Sequence, residues 1–64
     1  MKYGVGEVIQ LTRMILFASN DYILPGSYIK IIATPDEQCS SYRILTPNGI
    51  VKLVSEDMIV GVSE

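Results

Sequence analysis

The sequence predicts an all-β fold of short strands, a sandwich or small barrel, and three observations carry that prediction. Turn signals recur at Pro25-Gly26, Pro35-Asp36-Glu37, Pro47-Asn48-Gly49 and Gly61, about ten to twelve residues apart. Between them lie short runs rich in Ile, Val, Tyr and Thr. β-Branched and aromatic residues favour the pleated, half-buried surface of a strand, and short strands at regular spacing suit a sandwich or barrel. The third observation is the run Thr46-Pro47-Asn48-Gly49-Ile50. Pro47 and Asn48 fit the centre of a type I turn, and Gly49 can take the left-handed conformation that closes a G1 bulge.

The elements follow in order. Gly4-Val5-Gly6 reads as a flexible lead-in. Residues 7–12 alternate as a strand would, with Ile9 and Leu11 on one face. The same stretch, continued to Ala18, also lines Val8, Leu11, Ile15 and Ala18 along one helical face, so a short helix within residues 13–19 is the alternative. On the strand reading, residues 14–25 form a long first loop with more apolar content than a solvated loop carries. Tyr28 to Thr34 is the second strand, with Ile29, Ile31 and Ala33 on one face. Residues 35–38 turn the chain, because proline presets the turn and donates nothing to a ladder. Ser41 to Thr46 and Ile50 to Val54 make the hairpin. Ser55 can cap a single helical or 3₁₀ turn whose first positions, Glu56 and Asp57, are acidic. Ile59 to Val62 is expected as a short last strand.

At 64 residues the chain is one small domain, 1–64, with a thin core. With no histidine, it lacks the commonest general base and metal ligand. The one cysteine, Cys39, cannot form an internal disulfide. Five basic residues against seven acidic ones argue against a dedicated binder of nucleic acid or anionic membrane. No apolar run approaches the roughly 20 residues of a membrane span. Glu7 and Arg13 interrupt any signal-peptide core, so the expectation is a cytoplasmic protein with no membrane partner.

Val5-Gly6-Glu7-Val8-Ile9-Gln10-Leu11, Tyr42-Arg43-Ile44-Leu45-Thr46-Pro47-Asn48-Gly49 and Val54-Ser55-Glu56-Asp57-Met58-Ile59 together set an order of strand, long loop, strand, hairpin, 3₁₀ turn and short strand. That pattern resembles the five-stranded SH3-like barrel, and in particular small uncharacterised bacteriophage proteins of that fold. The resemblance implies the barrel and, for a phage-encoded chain, the host cell cytoplasm. Peptide-binding SH3 domains carry an Ala-Leu-Tyr-Asp-Tyr run and a groove tryptophan; here only Asp21-Tyr22 matches. KOW-type modules share the pattern of Gly26-Ser27-Tyr28-Ile29-Lys30-Ile31, without their basic loop. Neither function carries over.

Candidate sites are sparse. The pairs Asp36-Glu37 and Glu56-Asp57, with Asp21, lack the spacing of a calcium loop, and turns and helix starts favour such residues for backbone reasons. Cys39 has no basic neighbour in sequence to activate it. No catalytic, metal or cofactor constellation emerges, and the expectation is a non-enzymatic protein. Met14-Ile15-Leu16-Phe17-Ala18, extended by Tyr22-Ile23-Leu24, is the least ordinary feature. It either covers an open barrel end or forms an exposed patch, and contiguous exposed apolar surface marks interaction sites. Ile15, Leu16, Phe17, Tyr22, Leu24 and Tyr28 are the candidate partner-binding residues, with Tyr22 and Tyr28 as the exposed aromatic pair. The expected partner is another protein chain or a second copy. A nucleic-acid-binding barrel using tyrosines with Arg13, Lys30, Arg43 and Lys52 is the alternative.

Overall fold

The computed structural model describes residues 2–63. Six strands and one helix run in the order β1 (Val8–Gln10), β2 (Ile15–Ala18), β3 (Asp21–Ile23), β4 (Tyr28–Ala33), β5 (Tyr42–Leu45), β6 (Val51–Val54) and α1 (Glu56–Ser63). All pairings are antiparallel. One sheet has the order β1-β4-β5-β6, and β2-β3 form a separate two-stranded ribbon. The mostly β architecture agrees with the sequence; among the described residues no ladder joins the two sheets, and they pack around a shared core.

Three expectations change with that result. The long loop 14–25 is a hairpin. Its apolar run alternates, Ile15 facing in and Leu16 out, and the chain turns at Ser19-Asn20 ahead of Asp21. The alternative helix within residues 13–19 is strand β2. Ile59 to Val62 is helix, not strand. The Ser55 hydroxyl accepts from the Met58 N–H (3.2 Å) and the Ser55 carbonyl from the Ile59 N–H (3.2 Å), which starts the helix. Glu56 and Asp57 then sit at its positive end. Ile59 and Val62 are buried, a spacing of three that no strand can place on one face.

The inner face of the large sheet carries Ile9, Ile29, Ile31, Tyr42, Ile44 and Val54. Ile15 and Ile23, directly opposite each other in the β2-β3 ribbon, Ile59 and Val62 of α1, and Tyr3 and Leu11 complete the core. The Gly4-Val5-Gly6 lead-in is a defined turn: Gly6 has φ +91° and donates to Ile31 O at 2.7 Å. The β5-β6 hairpin closes as its sequence requires. Gly49 N–H donates to Thr46 O (2.9 Å), Thr46 N–H to Ile50 O (2.9 Å), and Gly49 has φ +81°. A side chain at that φ is strained whatever space it finds. Gly49→Ala is therefore expected to cost about 1 kcal/mol in urea unfolding, with no change in the native circular dichroism spectrum.

The N-terminal segment is fastened to the helix through Tyr42. The Tyr42 hydroxyl accepts from the Tyr3 N–H (3.4 Å) and donates to Glu56 Oε1 (3.0 Å). The Lys2 N–H donates to the same oxygen at 2.6 Å. The Tyr3 and Tyr42 rings meet edge to face, 5.9 Å apart at 81°. The Lys2 N–H, then the Tyr42 hydroxyl, hold the Glu56 carboxyl below its ordinary 4.5. A depressed carboxyl contributes stability that is fully present above the unfolded value and lost as pH falls through the folded one. Glu56→Gln is expected to flatten the loss of stability as pH falls below 4.5. Urea midpoints against pH measure it; parallel curves for the two chains would refute the assignment.

Candidate interaction surface

Outward-facing apolar side chains are the conspicuous feature of the surface. On the β2-β3 ribbon Leu16 lies opposite Tyr22, and they are 58% and 48% exposed. Because Ile15 and Ile23 take the inner face, alternation sends this pair outward. Leu24 follows the ribbon at 57% exposure. It lies on the rim of an open concavity of about 360 Å³ between the ribbon and the β5-β6 turn, bounded also by Tyr22, Pro47, Asn48 and Ile50.

Lys52 closes the base of that concavity and ties the sheets together. Its side chain leaves the inner side of β6, opposite Ile44. The ammonium forms an ion pair with Asp21 and lies 4.9 Å from the centre of the Phe17 ring. Phe17 is the extra residue where the register of β2 against β3 shifts, between Leu16 and Ala18. Alternation after the outward Leu16 sends it toward the core, against which it packs.

The structure thus separates the six candidate residues. Leu16, Tyr22 and Leu24 share the exposed surface of the ribbon and concavity. Ile15 is core, 2% exposed, and leaves that surface: its partner Ile23 and the sheet behind it cover it. Phe17 is half-buried beneath Lys52 and anchors the ribbon. Tyr28 is exposed, as expected, but on the outer face of the large sheet opposite Gln10, so the two tyrosines occupy different sheets.

That outer face sets Lys30 and Arg43, offered by the sequence as cations, among apolar residues it did not single out. Val8, Lys30, Leu45 and Val51 form one row across four strands, and Arg43 lies opposite Leu53. Val8, Val51 and Leu53 are 58%, 49% and 57% exposed. None of the four strands contains a carboxylate. The signal was available: once Ile44 and Val54 face inward, Leu45, Val51 and Leu53 must face outward.

Glu7, Asp36 and Glu56 accept from backbone N–H groups. Asp36 Oδ1 accepts from the Gln38 and Cys39 N–H groups, both at 2.8 Å, and these bonds hold its carboxyl below its ordinary 3.8. Among the described residues no group of three Cys, Asp or Glu side chains is placed to hold a metal ion. No helix of the described chain is long and apolar enough to cross a membrane.

Comparison with protein-family models, curated proteins and solved structures gives no match for this chain.

Proposed function

We propose that the chain is a non-enzymatic interaction module that engages another protein through the outward face of the β2-β3 ribbon. The observation that carries this reading is the run of Leu16, Tyr22 and Leu24, all about half exposed or more, leading onto a concavity edged by Ile50. Exposed apolar surface beside a shaped depression is what a partner's side chains fill, and aromatic residues such as Tyr22 are enriched where chains meet. A phage origin belongs to the same proposal and is supported by the sequence resemblance alone. A reducing, cytoplasmic setting suits the free thiol of Cys39.

The test is affinity capture from nuclease-treated host lysate with the wild-type chain, a Leu16→Glu plus Leu24→Glu chain, and Glu37→Ala as a control away from the ribbon. Circular dichroism checks that all three fold. A defined protein held by wild type and control, and lost from the double variant, is the expected result. Equal recovery by all three chains overturns the proposal.

A second reading has its own observation. Tyr28, Lys30 and Arg43 are all exposed and project from the outer face of a sheet whose strands carry no carboxylate. That arrangement suits a single-stranded nucleic acid, with a base stacked on Tyr28. It requires affinity that falls steeply with salt and is lost in Tyr28→Ala and Arg43→Ala. Flat salt dependence removes it.

A further inference from the structure

We propose that β6 is a self-association edge, at which two copies of this chain pair antiparallel through Val51 and Leu53 and join their four-stranded sheets into one. The phase of the β5-β6 ladder points there first. The Thr46 N–H donates to Ile50 O, which makes residues 46 and 50 a hydrogen-bonded pair. Bonded and non-bonded pairs alternate, so Ile44 with Lys52 and Tyr42 with Val54 are bonded pairs as well. The N–H and C=O groups of Val51 and Leu53 therefore point away from β5. β6 is the end strand of its sheet, so they face the open edge.

The side chains leave that edge unguarded. Natural edges are blunted by an outward lysine, a proline or a bulge. β6 has no proline, and its register against β5 is regular. Its single charge, Lys52, is turned to the inner side and held by Asp21 and Phe17. What faces out is Val51 and Leu53, both about half exposed. The opposite edge, β1, is only three residues long, and just beyond it the Thr12 N–H donates to Val62 O.

The strand's own pattern selects a second copy as the occupant. Ile50-Val51-Lys52-Leu53-Val54 is symmetric about Lys52: two apolar residues, a lysine, two apolar residues. A two-fold pairing centred on Lys52 sets Val51 opposite Leu53 of the second copy, and the reverse, in two hydrogen-bonded pairs. Two bare lysines at the centre would repel. Here each arrives neutralised by its own Asp21, so the junction carries two ion pairs and no net charge. The strand borders the concavity through Ile50 and Lys52, but its outward Val51 and Leu53 do not line it, so this inference does not depend on the ribbon's partner.

Light scattering on the full chain over a range of concentrations is the first measurement. The expected result is a species of twice 7.1 kDa that becomes a monomer in Leu53→Lys. A wild-type monomer throughout overturns the proposal, as does a folded Leu53→Lys chain that stays dimeric. Should Leu53→Lys fail to fold, cysteine pairing decides. In a Cys39→Ser background, Val51→Cys and Leu53→Cys chains are mixed and oxidised. Cα atoms of a hydrogen-bonded pair lie about 5.5 Å apart, within disulfide reach. A covalent dimer from the mixture, with none from either chain alone, is expected. Cross-linking of either chain with itself, or of neither combination, overturns the pairing.

Discussion

Tyr42→Ala is expected to abolish the cooperative unfolding transition at 25 °C. Tyr42 is fully buried and heads the largest side chains of the core. Truncating a buried aromatic costs about 3–5 kcal/mol. A domain of this size holds only about 3–5 kcal/mol in its core, so the loss consumes the whole margin. The ring lies edge to face against Tyr3, and the hydroxyl joins Tyr3 to Glu56. Tyr42→Phe separates the two contributions: it keeps the ring and is expected to cost about 1–2 kcal/mol while remaining folded. Far-ultraviolet circular dichroism with urea titration measures both. A Tyr42→Ala chain that unfolds cooperatively with a loss under about 1 kcal/mol would contradict the packing described here.

The second large effect lies in α1. Ile59→Ala is expected to cost about 2–5 kcal/mol and Val62→Ala about 1–3 kcal/mol, against less than about 0.5 kcal/mol for Met58→Ala. The pattern matters more than any one value. Ile59 and Val62 are both buried, whereas Met58 is 39% exposed. In a strand, Ile59 and Val62 would lie on opposite faces, and only one could be costly. Large losses at both, with a near-neutral Met58, require a helix. A loss at Ile59 alone would restore the strand reading of residues 59–62.

These two regions also mark what the sequence made legible. The alternation of residues 28–33 and 42–45 and the Pro47-Asn48-Gly49 turn are local signals, and the structure follows them, with Ile29, Ile31, Tyr42 and Ile44 all on the buried face. Residues 59–62 were misleading because Ile59, Val60 and Val62 favour strands and Gly61 weakens a helix. The Ser55 cap and the burial of both Ile59 and Val62 prevail over that preference. Residues 15–18 read as a loop because Ile15, Leu16, Phe17 and Ala18 are all apolar, so their sequence shows no alternation although their burial alternates. The same uniformity explains why the candidate surface was only partly legible. Composition groups Ile15, Leu16 and Phe17 as one apolar patch, but the backbone sends Leu16 to solvent, Ile15 to the core and Phe17 beneath Lys52. Lys52 itself read as a spare cation, because its partner Asp21 is 31 residues away in the chain.

The fastening of the N-terminal segment to α1 has a kinetic consequence. The Tyr3 and Ser63 hydroxyls lie 3.4 Å apart across 60 residues of chain, and the Lys2–Glu56 bond spans 54. The Tyr42–Glu56 bond spans only 14. Closing a loop of 60 residues rather than one of 14 adds about 1.3 kcal/mol of chain entropy before any contact is made. The β5-β6 hairpin and the start of α1 can therefore form while the N-terminal segment is still free. The joining of Tyr3 to the helix belongs on the native side of the folding barrier. Changes at Tyr3 and Ser63 would then accelerate unfolding and leave the folding rate nearly untouched, so the residence time of the native state is set where the two ends of the chain meet.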